Sequence, residues 1–271
     1  MVEVPLKLYV LGLLKQAKTQ ARFMANLSSS QKNQALQAMA DALVAQSSDI
    51  LAANEQDIQL IPHDEGQQAH RQAVERVRIN EDDIQQMANT LLDFLAHPDP
   101  VGEMSQAWMT PDGMHVHTVR APIGVLGVIS DMGPSMTVES FGMCVKTNNV
   151  CIYRGGAEWL NTNGALFSCL KEAAVKHHVP DGALVFIDRG SPEAALEMAR
   201  QPQYVQAVIP RGRAGLRNGI VEHARVPVIG FDGGLCHVYV DRDADIPLAQ
   251  TIVVNAKVQA PTAANAMDTV L

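Results

Sequence analysis

The chain has 271 residues, of which 47% are hydrophobic, 18% charged and 4% aromatic, with 21 Lys and Arg against 29 Asp and Glu. A net charge of −8 without any long block of one sign excludes the clustered positive charge that nucleic acid or an acidic lipid surface requires. Mean hydropathy of −0.01 excludes an unfolded polar chain, because enough apolar surface is available to offset chain entropy.

The apolar stretch Leu6 to Leu14 is broken by Lys7, is shorter than the ~20 residues of a membrane span, and lacks a signal-peptide cleavage site. Cytoplasm, with no membrane and no nucleic-acid partner, is the expectation. Residues 1 to 97 read as successive helices. Ser29 and Ser30 precede Leu36, Met39, Ala40, Leu43 and Val44 at helical spacing, with Ser as N-cap. Asn80-Glu81-Asp82-Asp83 opens a second such run, its acidic residues matching the positive end of the helix dipole. His97-Pro98-Asp99-Pro100 closes the helical region, since two prolines in three residues cannot continue a helix.

Ala107 to Thr110, then Pro111-Asp112-Gly113, then Met114 to Val119 reads as strand, turn, strand, with Asp-Gly supplying positive φ. Such a hairpin either pairs with another subunit or forms an edge of its own domain. From Ile123 onward apolar runs alternate with helical ones. Strands are expected at 124–129, 150–154, 184–187, 205–209, 226–229 and 237–240, with helices between them and a last helix at 244–255. That alternation predicts βαβ units, hence an α/β fold with a parallel sheet and helices on both faces.

In such a sheet, ligands bind at the carboxyl ends of the strands, beside helix N-termini. Three strand ends carry suitable residues: Ile129 to Pro134, Ile152 to Glu158 and Ile209 to Gly215. Arg154 with Gly155 and Gly156, and Pro210-Arg211-Gly212 with Arg213, combine exposed backbone N–H groups with positive charge, which suits a phosphate. Neither matches a GxGxxG or P-loop pattern. His115 and His117 lie two apart without an evident third ligand, so no metal site is expected. Asp241-Arg242-Asp243-Ala244-Asp245 lacks the Gly and Glu of a calcium loop and reads as a helix cap. Cys144, Cys151, Cys169 and Cys236 read as reduced thiols, mostly buried.

Seven blocks then carry a family likeness: Gln31 to Leu36, Ile50 to Asn54, Asp99 to Glu103, Tyr153 to Glu158, Val208 to Gly212, Cys236 to Asp241 and Asn255 to Lys257. On these residues the chain resembles the γ-glutamyl phosphate reductases (glutamate-5-semialdehyde dehydrogenases) of the aldehyde dehydrogenase superfamily. The resemblance implies a Rossmann-like nucleotide-binding domain, a catalytic domain and an oligomerising hairpin. It assigns 1–100 to the helical part of the nucleotide-binding domain, 101–122 to the hairpin, 123–256 to the sheet and 257–271 to the start of the catalytic domain. It implies NADPH-dependent reduction of γ-glutamyl phosphate to glutamate semialdehyde in proline biosynthesis, through a cysteine thiolate that forms a thioester. NADP(H) would be held by Arg154, Gly155, Gly156, Glu158, Pro210, Arg211 and Gly212.

The chain departs from the pattern where chemistry should occur. Ala264, followed by Asn265, stands at the nucleophile position, Ala260 replaces an arginine, and Ser130-Asp131-Met132-Gly133-Pro134 replaces Tyr-Glu-Ser-Arg-Pro. The chain stops at Leu271, where family members continue through the catalytic domain. The resulting expectation is a catalytically inactive relative with weakened or lost NADP(H) binding. It would act as a scaffold or subunit partner, as a homo-oligomer or with another protein over the face left by the missing domain. The alternative is an active reductase.

Overall fold

A computed structural model describes residues 5–62, 66–230, 234–261, 263 and 265–271. The chain divides into two compact units, Met1–Gly230 and Phe231–Leu271. The division falls inside the stretch 123–256 that the sequence reading treats as one sheet domain. Its physical reason is local: the segment at 237–240 forms only the short strand β7 (His237–Val238), which pairs with β8 (Thr269–Val270) and not with the main sheet.

The first unit opens with α1 (Leu6–Met24), α2 (Ser29–Ala45), α3 (Ser47–Gln59), α4 (Gln67–Val77) and α5 (Glu81–Ala96). Ser28, one residue before the expected cap, accepts from the Gln31 N–H while the Gln31 side chain accepts from the Ser28 N–H; Asn80 and Asp83 do the same for α5. The hairpin follows, β1 (Met104–Met109) antiparallel to β2 (His115–Val119), turning through Gly113 at φ 89°.

A four-stranded parallel sheet comes next, formed by β3 (Val125–Ser130), β4 (Val150–Arg154), β5 (Leu184–Phe186) and β6 (Ala207–Arg211) in the order β5-β4-β3-β6. Every residue of β3 and β4 is buried, as expected for strands covered on both faces. α6 (Ser135–Lys146) and α7 (Leu160–Lys176) pack on one face with α2, α3 and α5 behind them. α1, α8 (Pro192–Ala199) and α9 (Ala214–His223) cover the other. Segment 226–229 touches the sheet only through an isolated bridge from Val228 to Val208. This is the α/β architecture expected from the alternating runs. The sheet winds outward from β3 through β4 to β5, and the chain then crosses over to place β6 on the other side of β3. The winding therefore reverses between β3 and β6, the position where ligands bind in open sheets of this kind.

In the second unit α10 (Ile246–Val258) begins with Asp245 accepting from the Leu248 N–H, the capping role expected for the acidic run. Among the described residues no helix is long and apolar enough to cross a membrane.

Candidate functional site at the carboxyl edge of the sheet

Because the strands are parallel, the ends of β4, β3 and β6 lie side by side. Ser130 is in register with Arg211, and the Asp131 N–H donates to the Arg211 carbonyl at 3.2 Å, carrying the pairing one residue past the strand. The chain then enters α9 through Gly212 at φ 149°. Gly212 is required twice over: its backbone lies where side chains are strained, and a Cβ there would overlap the Asp131 carboxylate. That carboxylate accepts from the Arg213 backbone N–H at 3.2 Å and from Arg213 Nε at 3.4 Å. Asp131 thus lies on the positive end of α9, where a phosphate was expected. Arg211 turns toward α6 and approaches Glu139 at 3.9 Å, and Pro210 is buried within the strand.

At the end of β4, Arg154 is only 7% exposed. Its Nη2 donates to the Gly190 carbonyl in the loop after β5, and its Nε has no hydrogen-bond partner. Burial pulls the guanidinium below its usual pKa, while the nearby Tyr153, Asp131 and Glu193 act in the opposite direction. No carboxylate forms an ion pair with it among the described residues, so a buried cation stands without a direct counter-charge. Gly155 presses against the Asn163 amide, and a Cβ there would overlap it. Gly156 is buried and leads into a single 3-10 turn, Ala157–Trp159. Glu158 is exposed and pairs with Arg76 of α4 at 2.7 Å.

The N-terminus of α7 is closed from within. Asp57 on α3, 3% exposed, accepts from the backbone N–H groups of Asn161 and Thr162 at 2.9 and 2.8 Å. It also accepts from the Asn161 amide and the Thr162 hydroxyl at 2.9 and 2.6 Å. Four donors on one carboxylate leave no room for an external anion at that helix end. A cavity of about 370 Å³ does lie beside Ala157 and Glu158, walled by Leu60, Ile61, Ala73 and Val77. It faces α3 and α4, and neither Asp131 nor Arg213 lines it.

The two expected Arg-Gly strand ends therefore share one edge, as the topology requires, but β3 separates them and Asp131 stands at its end. Ala264 lies outside the described residues; its neighbour Asn265 is exposed in the second unit. His115 and His117 are both exposed on the hairpin. Sequence reasoning included Asp131 in one of its three strand ends without giving it a role, and it missed Asp57. Asp131 carried a local signal, an acid directly after a strand facing a Gly-led helix start. Asp57 carried none, since its partners are more than a hundred residues away.

The model of the aldehyde dehydrogenase family matches residues 10–261. The γ-glutamyl phosphate reductase of Syntrophomonas wolfei is 42% identical over 257 residues, 95% of this chain and 61% of that protein. The one from Moorella thermoacetica is 43% identical over the same shares. The crystal structure of γ-glutamyl phosphate reductase from Thermotoga maritima superposes with a TM-score of 0.89 at 32% identity, covering 96% of this chain and 62% of the other. The chain thus spans about three fifths of the length of the relatives it matches.

Proposed function

The chain belongs to the aldehyde dehydrogenase family, and on that premise we propose that it acts by binding, as a catalytically inactive relative of the γ-glutamyl phosphate reductases. The observation that carries this reading is Ala264, which stands where the resemblance puts the nucleophilic cysteine. A methyl group cannot attack an acyl phosphate or hold a thioester. Of the four cysteines, Cys144, Cys151 and Cys169 are buried, and Cys236 is half-buried in the second unit. Burial, with Cys144 adding to it, raises the Cys151 thiol well above its usual pKa, and burial pushes Cys169 up to about 11, so neither supplies a thiolate near neutrality.

Cofactor binding belongs to the same proposal. NADPH, when bound, supplies a hydride. Arg154, Gly155, Gly156, Glu158, Pro210, Arg211 and Gly212 are the residues proposed to hold it. They fit such a group in part: the unpartnered Arg154 Nε is a buried donor suited to an anion, whereas the space beside Gly155 is taken by the Asn163 amide and that beside Gly156 by Trp159. Asp131 opposes it at the start of α9, so weakened binding is the expectation.

The hairpin supports assembly. All six residues of β1 are exposed and β2 is nearly so, with Met104, Trp108, Met109, Met114 and Val119 open to solvent. An isolated two-stranded ribbon is marginal in water. A second copy of this chain, or another protein, is proposed to pair with it.

A second reading, an active NADPH-dependent reductase of γ-glutamyl phosphate in proline biosynthesis, is favoured by the identity of about two fifths to relatives of that name. One assay separates the two. The purified chain is given NADPH with γ-glutamyl phosphate, and in reverse NADP with glutamate semialdehyde and phosphate. Inactivity predicts no change in nicotinamide absorbance and no acyl adduct by intact mass; turnover or an adduct overturns it. Light scattering tests self-assembly: a monomer at micromolar concentration would refute the second-copy pairing and leave the other-protein pairing.

A further inference from the structure

We infer that the cavity of about 370 Å³ between α3 and α4 binds a free α-amino acid with an apolar side chain. The side chain enters the cavity, and the carboxylate and ammonium groups meet Arg76 and Glu158, which also line it. This site is distinct from the proposed cofactor site. Its walls come from α3, α4 and the segments beside them, and no residue of α8 or α9 is among those lining it.

The space exists because of what α4 turns inward. Ala69, Ala73 and Val77 recur every four residues, on one face of the helix, and all three line the cavity. Two alanines leave volume that larger side chains would fill, and Val77 is the buried residue of α4. Leu60 and Ile61 also line the space, yet Leu60 remains 73% exposed. Ile58, Val77 and Trp159 form an apolar cluster separate from the main core, with Ile61 and Val74 packed against it. α4 therefore rests on a small satellite cluster, with apolar volume left open beside it. A cavity of this size, mostly apolar with a few polar groups, has the character of a small-molecule site.

The charged groups select the ligand class. Arg76 Nη2 donates to Glu158 Oε1 at 2.7 Å, and both side chains are exposed. A guanidinium has further donors and a carboxylate a second oxygen, so each partner can bond to a ligand as well. An ion pair this exposed is weak and can open around a ligand's own charges. A ligand bearing only a carboxylate would gain Arg76 but lie beside the like charge of Glu158. One bearing only an ammonium would gain Glu158 but lie beside Arg76. An α-amino acid carries both charges on one carbon and matches the pair, with its side chain left for the apolar walls. Asp57, the other carboxylate of the lining, already accepts four hydrogen bonds from Asn161 and Thr162.

The test uses the full chain carrying Trp108→Phe, which leaves Trp159 as the sole tryptophan. Trp159 Nε1 donates to the carbonyl of Val77, a cavity-wall residue, at 3.2 Å, so its fluorescence reports on the site. L-Phenylalanine is expected to change that emission saturably, with a dissociation constant of about 1 mM or tighter. 3-Phenylpropionate and phenethylamine keep the ring and one charge each, and should bind about ten-fold more weakly. Arg76→Gln should bring phenylalanine down to the level of phenethylamine. Ala73→Leu fills the space and should weaken all three compounds. Arg76 is exposed, so its variant keeps the test if Ala73→Leu does not fold. No saturable response to phenylalanine, or equal affinity for the three compounds, overturns the inference. So does an Arg76→Gln protein that keeps the full preference for phenylalanine over phenethylamine.

Discussion

Residues Met1–Gly230 surround their sheet with a continuous apolar core in which Val10, Leu36, Phe141, Ile152 and Leu170 are completely buried, whereas in Phe231–Leu271 Met267 is the buried apolar residue among those described. α10 carries Ile246, Leu248, Ile252, Val254 and Val258, and no residue of that helix is buried. The difference separates two sources of helix stability. The helices of the first unit are held by the faces they bury. α10 has a sound N-cap, half-buries only Ala249, Val253 and Ala256 on one face, and accepts at Ala256 from the Met267 N–H, so far less burial sustains it. The first unit should accordingly respond to core and cap mutations by whole kcal/mol, and the second hardly at all.

The largest effect should come from Phe141→Ala. Phe141 is fully buried on α6, and its ring lies 5.8 Å from those of both Tyr153 and Phe167, joining β4 to α7. Deleting it removes apolar burial and leaves a cavity, an expected loss of about 3–5 kcal/mol in denaturant unfolding. A loss below about 1 kcal/mol, typical of a surface change, would mean that the two halves of this core are not one.

Asp57→Ala should follow, at about 2–4 kcal/mol, since it strips the cap of α7 and leaves the N–H and hydroxyl of buried Thr162 unsatisfied. The matched change Asp131→Ala should cost under about 1 kcal/mol, because its contacts are long and partly exposed. Thermal or denaturant melts of the pair, compared directly, give the ratio.

How much of this was legible in the sequence follows from the range of the interactions. The buried strands β3 and β4, the Asn80 cap and the hairpin turn rest on local apolar runs and local hydrogen bonds, and each was found within a residue or two. The strand expected at 237–240 had the right composition, but pairing is decided by what lies alongside, and β8 lies alongside. At the candidate site the Arg-Gly strand ends were legible as a pattern. Their directions were not: Arg154 turns inward to Gly190, Arg211 toward Glu139, and Arg213 back to Asp131. Side-chain direction depends on partners far along the chain, and no spacing rule encodes it.

A smaller, pH-dependent difference should also belong to the first unit. Lys32, 1% exposed, holds Asp99 at 2.7 Å and the Lys146 carbonyl at 3.1 Å, tying α2 to α6 and to the turn after α5. Burial pushes the Asp99 carboxyl up, but hydrogen bonds from Lys32, Ser29 and the Val101 N–H outweigh it and hold the group below its usual value. A carboxylate depressed in the folded state contributes stability above its unfolded pKa and loses it as pH falls through the folded one. Burial lowers Lys146, so folding there favours the neutral amine and stability gains as pH rises toward the ordinary lysine value. Both groups act in the same sense. The unfolding free energy should drop below about pH 4, where free Asp begins to protonate. In Asp99→Asn, less stable at neutrality, the gap to the parent chain should narrow on acidification. A constant gap from neutral to acid would separate Asp99 from the acid limb.

Ile252→Ser should have the least effect and decides the most about the second unit. Ile252 is 50% exposed on a helix with no buried residue. Replacing an exposed apolar side chain by a polar one ordinarily changes stability by no more than about 0.5 kcal/mol. If the chain alone in dilute solution shows that value, α10 is held by its cap, local propensity and little burial, and the contrast with the first unit stands. If the same substitution lowers the unfolding free energy by about 2 kcal/mol or more, the side chain is covered in solution, since only burial gives an isoleucine that weight. Protein concentration then identifies the cover. A loss that grows with concentration reports contact between copies, because dissociation contributes to the unfolding equilibrium, whereas a concentration-independent loss reports contact within one chain.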